Sequence, residues 1–450
     1  MIVPRTRLLF WFALITLPLS LVGAMASSAL LSLAGTLAFI LLAIVDATLS
    51  FGALRGIRVE LPDTIRFSKN REGAIEVTVT HSGAANRNMR VGLALPTAFQ
   101  SPHEDLTTML PHDQQQVRLI WPCLPQKRGQ FRLETCYLET PSPLGLWAWR
   151  DSVPVSSELR VYPDLSRERN NLAALFLNRG SFGVHAQRQI GKGREFEKLR
   201  EYMPGDSFED IHWKATAKRG RPITKVFQIE RTQEVYVLVD TSRLSARPAR
   251  PLESAADQPE PTETILERFI TAAMILGLAA QKQGDLFGVA AFGSQMHTFV
   301  RAKTGKMHYG ACRDALYRLE PERGNPDFDE LCSFLRLRLR RRALLIVLTN
   351  LDDPVLSENF IKNINLIHRQ HLVLVNMLRP PAAHPLFSNS NVSSVGDLYR
   401  ELGGHLLWRD LQELEYALQH RGVNFSLLSD EKMCVDLVSQ YIGVKRRQLL

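Results

Sequence analysis

The chain has 450 residues, with 55 lysines and arginines against 46 aspartates and glutamates, for a formal net charge of +9. Hydrophobic residues make up 45% and charged residues 22%, which excludes a disordered or fibrous chain; the length suffices for two or three domains, each with its own core. The positive balance fits either attraction to anionic lipid headgroups or ordinary solubility charge.

The apolar residues are unevenly spread. No charge occurs in residues 8–24 or 27–45. As helices, both stretches approach the length needed to cross a hydrocarbon core of about 30 Å. With only Met25-Ala26-Ser27 between them, they predict a transmembrane helical hairpin over residues 1–50. Arg5 and Arg7 precede the first stretch and Arg55 and Arg58 follow the second, so the positive-inside rule places both flanks in the cytoplasm. Arg5-Thr6-Arg7, the apolar run and Ala24-Met25-Ala26 also have the form of a cleavable secretory signal. In that case the second stretch would still hold residues 51–450 on the cytoplasmic side.

Residues 57–163 alternate apolar and polar positions in short runs: Ala74–Thr80, Met89–Leu95, Gln116–Trp121 and Gln130–Leu138, with Gly, Pro, Asn and Asp between them. Period-two patterning with frequent turns predicts a small antiparallel β-sandwich. His103 and His112 fall in its loops and are read as solvated. Residues 164–233 form a connecting segment that opens with a Gly- and basic-rich arm, Gly180 to Arg194. Gly191-Lys192-Gly193 and Thr304-Gly305-Lys306 lack the further glycines of a phosphate-binding loop, so nucleotide hydrolysis is not expected.

From 234 to 450, strands and helices alternate. Apolar strands are expected at Glu234–Val239, Leu286–Phe292, Ala343–Thr349, Leu372–Leu378 and Asn424–Leu428. Helical periodicity occupies Thr264–Gln281, Gly310–Leu319, Asp327–Leu339, Ser357–Arg369, Asp397–Leu402, Leu411–His420 and Glu431–Tyr441. Such alternation predicts a Rossmann-like α/β domain, a mostly parallel sheet covered on both faces. Residues 243–263, rich in Pro, Ala, Glu and Ser, read as a flexible insertion. Phe334 to Arg342 alternates Leu and Arg, with leucines expected in the core and arginines in solvent; no aromatic residue interleaves them, which disfavours nucleic acid. Cys123, Cys136, Cys312, Cys332 and Cys434 form no paired spacing, which fits buried thiols in a reducing compartment.

The most informative stretch runs from Arg200 to Ser242. Tyr202, Pro204, Gly205 and Asp206 read as a turn; Ile211, His212 and Trp213 follow, with Ile211 and Trp213 expected to pack and His212 expected to serve no catalytic role. Tyr202, Gly205, Asp206, Ile211, Trp213, Ala217 and Glu230, then Asp240 and Ser242, resemble the signature of the family called domain of unknown function fifty-eight. Lys127-Arg128-Gly129, Pro143-Leu144-Gly145-Leu146 and Val161-Tyr162-Pro163 extend the resemblance upstream, and Glu209 and Lys218 depart from it, since the family carries Arg at both. The resemblance implies a membrane-anchored protein of the bacterial cytoplasmic membrane whose C-terminal part is similar to a von Willebrand factor A domain. It also implies a non-enzymatic adaptor that partners a MoxR-type AAA+ ATPase in assembling or maturing other complexes.

A buried strand ending in Asp240-Thr241-Ser242 presents a carboxylate and two hydroxyls at the carboxyl edge of the sheet. Von Willebrand A domains use Asp-x-Ser-x-Ser there for a hard cation such as Mg²⁺, completed by a partner's carboxylate. Here position 244 is Leu, Ser245 comes one residue late, and the second strand ends in Thr349-Asn350 with Asp352 and Asp353 displaced. Asp240, Ser242, Ser245, Thr349 and Asp352 are therefore candidates for gripping a partner or metal through a degenerate site, and a metal-free tip remains the alternative. Asp240 as a plain turn cap is the blander reading. No Ser-His-Asp order or paired-carboxylate spacing marks a catalytic residue; the rival function is a metal-dependent hydrolase at the Asp240 edge.

Overall fold

The computed structural model describes residues 1–25, 29–81, 87–110, 116–178, 190–204, 206–228, 233–249, 263–386, 388 and 394–447. The expectations at Gly205, Glu230 and His112, and most of those for the Gly180 arm and the Pro-rich insertion, lie outside these residues. The chain divides into two compact units, residues 1–164 and 165–450.

The first unit opens with a short strand β1 (Ile2–Pro4), followed by α1 (Thr6–Met25) and α2 (Ala29–Leu49). Strands β2 (Arg58–Glu60), β3 (Thr64–Ser68), β4 (Gly73–Thr80), β5 (Arg87–Leu93), β6 (Phe99–Gln100), β7 (Leu106–Leu110), β8 (Gln116–Pro125), β9 (Gly129–Pro141) and β10 (Trp147–Tyr162) complete it. One sheet runs β1-β10-β9-β5-β7 with β3 beside β10; the other runs β2-β4-β8-β6. Alternate residues of both, among them Ile75, Val77, Trp121, Val91, Leu133 and Leu159, fill a single core. The sheets are not wholly antiparallel, because β3 pairs with β10 in parallel.

In α2, Ser32–Leu49 is long and apolar enough to cross a membrane; the apolar part of α1, Thr6–Leu19, is shorter. Both helices are rooted in the β unit. Asp46, near the end of α2, accepts hydrogen bonds from Ser142 Oγ at 2.6 Å and Leu144 N at 3.0 Å. The Trp147 indole donates to Ala43 O at 2.8 Å, and β1 pairs antiparallel with β10, Ile2 opposite Trp149. These bonds fix the Pro143-Leu144-Gly145-Leu146 turn, in which Gly145 takes a positive φ of 71° that a side chain would strain.

The second unit comprises α3 (Ser166–Asn178), β11 (Ile190–Glu201), α4 (Trp213–Arg219), β12 (Ile223–Gln228), β13 (Glu234–Asp240), α5 (Ile265–Lys282), β14 (Leu286–Phe292), β15 (Met296–Lys303), α6 (Lys306–Leu316), α7 (Phe328–Arg338), β16 (Leu344–Leu348), α8 (Pro354–Ile364), β17 (Leu372–Leu378), α9 (Val395–Gln419), β18 (Asn424–Leu428) and α10 (Met433–Arg447). Its main sheet has the order β15-β14-β13-β16-β17-β18, parallel throughout except for the β14–β15 pair. Val235, Val237 and Val239 face α5, α6 and α10, while Tyr236 and Leu238 face α7, α8 and α9, so alternation along β13 feeds two cores. The chain leaves β13 toward β14 on one side and returns to β16 on the other. That reversal sets the topological switch point at the carboxyl ends of β13 and β16.

Candidate functional site

Asp240 ends β13 at the switch point, and Thr349 directly follows β16. Thr349 Oγ1 donates to Asp240 Oδ2 at 2.6 Å, and the amide of Ser242 donates to Asp240 Oδ1 at 2.8 Å, an Asx turn. Ser245 Oγ donates to Ser242 O at 2.7 Å. The turn is roofed by residues 322–324, since Glu322 N donates to Thr241 O at 2.7 Å and Arg243 N to Gly324 O at 2.9 Å. The sequence thus brings Asp240, Ser242, Ser245 and Thr349 together as expected, but it does not present them. Asp240 is 0% exposed, and Ser242, Ser245 and Thr349 are equally buried.

This corrects the reading of an open acidic rim. Burial pushes the Asp240 carboxyl above the usual range, and the Thr349 hydroxyl, the Ser242 amide and the nearby Ser242 hydroxyl pull it partly back. Asp352 stands apart, clasped by Arg247 through Nη1 at 2.5 Å and Nη2 at 2.9 Å, a bidentate pair joining the loop after β13 to the loop after β16. Asp353 caps α8, accepting from Val355 N at 3.0 Å. These residues do not fit a hard cation: both Asp240 oxygens and the Ser245 hydroxyl are committed to protein donors or acceptors, Leu244 occupies a ligand position, and Asp352 is held by Arg247. Among the described residues, no group of three His, Cys, Asp or Glu side chains is arranged for a metal. A cavity of about 470 Å³ opens between α8 and α9 beside Leu351 and Asp352, but the sealed residues do not line it.

The signature stretch behaves in the opposite way. Strands β11 and β12 pair antiparallel as a separate hairpin. The Tyr202–Asp206 turn is held by Met203 N on Asp206 Oδ2 at 3.0 Å and by Arg200 Nη2 on Asp206 Oδ1 at 2.6 Å. The Met203 amide first, and the Arg200 guanidinium after it, hold the Asp206 carboxyl below its ordinary value. His212 Nδ1 accepts from Ala215 N at 3.0 Å and so caps α4, a structural role. Gly220 closes that helix in the left-handed conformation, φ 65°.

Ile211, Ile223 and Thr224 form the buried side of this hairpin. The segment joining its two strands carries Met203 at 60%, Phe208 at 74% and Trp213 at 70% exposure, with Lys214, Lys218 and Arg219 also exposed along α4. Tyr202 stacks on Phe208 with ring centroids 5.8 Å apart. Ile211 packs as expected; Trp213 does not, because α4 turns it outward. Met203 and Phe208 escaped sequence reading, since a Met or Phe beside a turn carries no periodic signal.

Two solved structures show a partial likeness. Conserved hypothetical protein BatB from Bacteroides thetaiotaomicron is 14% identical with a TM-score of 0.29, covering 48% of this chain and 99% of that one. Proximal thread matrix protein 1 from the mussel byssus is 10% identical with a TM-score of 0.25, covering 47% and 46%. The uncharacterized protein YeaD of Bacillus subtilis (strain 168) is 27% identical over 119 residues, so this chain matches 28% of that protein's length and 25% of its own. Residues 198–386, from the signature hairpin to the segment before α9, match the family described as protein of unknown function DUF58.

Proposed function

We propose that the protein is a membrane-tethered, non-enzymatic interaction protein that uses the outer side of its signature hairpin, and not the Asp240 edge, to hold a protein partner. The observation that carries this reading is that Met203, Phe208 and Trp213 all stand in solvent along the short segment joining the hairpin's two strands. Large aromatic side chains on a rigid support serve as anchors of protein interfaces, and exposing them is otherwise costly. The lysines and arginine beside them favour an acidic partner surface. In keeping with the family resemblance, the partner is a MoxR-type AAA+ ATPase, the second unit is a von Willebrand factor A-like domain with a closed adhesion edge, and the role is assembly or maturation of other complexes. A hydrolase working at Asp240 would need a carboxylate that substrate can reach.

The tether is read as a helical hairpin in the bacterial cytoplasmic membrane, with the soluble units in the cytoplasm. Support comes from β1: a strand that precedes α1 yet pairs with β10 must lie on the same side of the bilayer as β10. Two crossings satisfy that requirement and one does not. A photo-crosslinking residue at Trp213, activated in native membranes, is expected to trap an AAA+ ATPase; trapping only lipid or nothing would overturn the proposal. A tag at the N-terminus and one between β9 and β10 are expected to show the same protease accessibility in sealed vesicles.

A further inference from the structure

The arginine-rich stretch after α7 remains without a role in this reading. Arg301 of β15 and Arg338 and Arg340 at the end of α7 line a groove of about 310 Å³ together with Phe299 and Leu337. The floor is built: Phe299 stacks on Tyr236 at 5.8 Å and meets Phe334 edge-on at 5.3 Å, and the Arg338 guanidinium lies 5.5 Å over the Phe334 ring. Leu335 and Leu339 are buried as expected, but Leu337, expected in the core, is 78% exposed on the lip of the groove. None of the three lining arginines makes an ion pair among the described residues.

Cations at a helix C-terminus are ordinarily explained by the helix dipole. That accounts for Arg338. It does not account for Arg301, which comes from a different element, or for Arg340 beyond the last helical turn. Guanidinium groups gathered around one concavity without a carboxylate repel one another until an anion fills it, and their planar forks suit phosphate oxygens. An exposed leucine at the lip adds a foothold for an apolar group. We propose that this groove binds a phosphoryl or phosphodiester anion, supplied either by an anionic lipid headgroup or by a soluble phosphate compound.

The test uses the full chain in two settings: in detergent with inorganic pyrophosphate, and in nanodiscs of phosphatidylcholine with or without phosphatidylglycerol. Thermal midpoint reports the first, and an environment-sensitive dye on Leu337→Cys reports the second; the native thiols are buried. A midpoint raised by pyrophosphate supports a soluble ligand, and a dye shift only with phosphatidylglycerol supports a headgroup. Either response is expected to vanish in the Arg301→Ser/Arg338→Ser/Arg340→Ser triple variant, whose probe-free midpoint checks its fold. The matching triple lysine variant keeps the charge but loses the forks, and is expected to bind about tenfold more weakly. A lysine variant equal to the native chain would reveal a diffuse field instead of a site and would overturn the proposal, as would the absence of any response to both probes.

Discussion

The hydroxyl of Thr349 donates to Oδ2 of Asp240 at 2.6 Å, joining two residues 109 positions apart and closing the crevice where the strand order reverses. An open α/β sheet ordinarily receives ligands at that crevice. In this chain the Asp240 carboxyl, the Ser242 amide and the Thr349 hydroxyl fill it instead.

Asp240→Asn is therefore expected to fold with stability close to that of the native chain, since the amide oxygen can still accept from the Ser242 amide and the Thr349 hydroxyl can rotate. Asp240→Ala leaves those donors buried without acceptors and should cost about 1–3 kcal/mol by chemical denaturation. The pH dependence has a definite sign. The folded carboxyl is raised above its unfolded value, so the folded state binds the proton more tightly. The Asp240 contribution to stability then falls as pH rises from the unfolded value to the folded one, and that slope should disappear in Asp240→Asn.

Trp213→Ala and Phe208→Ser should leave the thermal midpoint within the small range typical of surface changes, about 0.5 kcal/mol, while abolishing capture of the partner from solubilised membranes. Ile211→Ala, on the buried side of the same hairpin, should lower stability instead. If Trp213→Ala proved as destabilising as Ile211→Ala, the side chain would be a packing residue after all.

Asp285 is buried just before β14 and has three donors, two of them on the C-terminal helix α10. It accepts from the Tyr441 hydroxyl, from Lys445 Nζ at 2.8 Å and from Gln233 N at 3.2 Å. Burial first, then the neighbouring Asp285, pushes the Tyr441 phenol upward. Asp285→Ala should cost about 1–3 kcal/mol, because it leaves the buried Tyr441 hydroxyl without its acceptor, while Lys445 keeps the Gln283 carbonyl. Hydrogen exchange should show α10 loosening before the central strands.

All five cysteines are buried and free. Burial raises Cys123 and Cys136 to about 11 and Cys312 and Cys332 to about 12. A thiol reagent at pH 8 should label none of them in the folded chain and all five in denaturant, since the thiolate is the reactive form.

Five strands of the main sheet were legible because they are short, largely apolar runs between helical patterns, and β13, β14, β16, β17 and β18 lie within a residue of their expected bounds. Strand β15 was not, because Met-His-Thr-Phe-Val-Arg-Ala-Lys at the edge of a sheet needs only one covered face. Helix α9 reads as two pieces in the sequence because Gly403-Gly404 interrupts its pattern; Gly404 lets the helix approach Ala382, whose carbonyl a Cβ would strike. The grouping of Asp240 with Thr349 was also readable from the strand ends. Their burial was not, because the roof over them comes from residues 322–324, a loop with no local signature.

Strand β1 has a consequence for how the molecule is made. Ile2 is synthesised before both apolar helices, yet Trp149, the residue it faces in the sheet, is made only after both helices and most of the β unit. The edge it completes must stay unfilled through translation and membrane insertion, so closure of that sheet is a late step governed by long-range loop entropy. A variant lacking Ile2–Pro4 should still insert, and should then offer the bare flank of β10 to whatever strand finds it first.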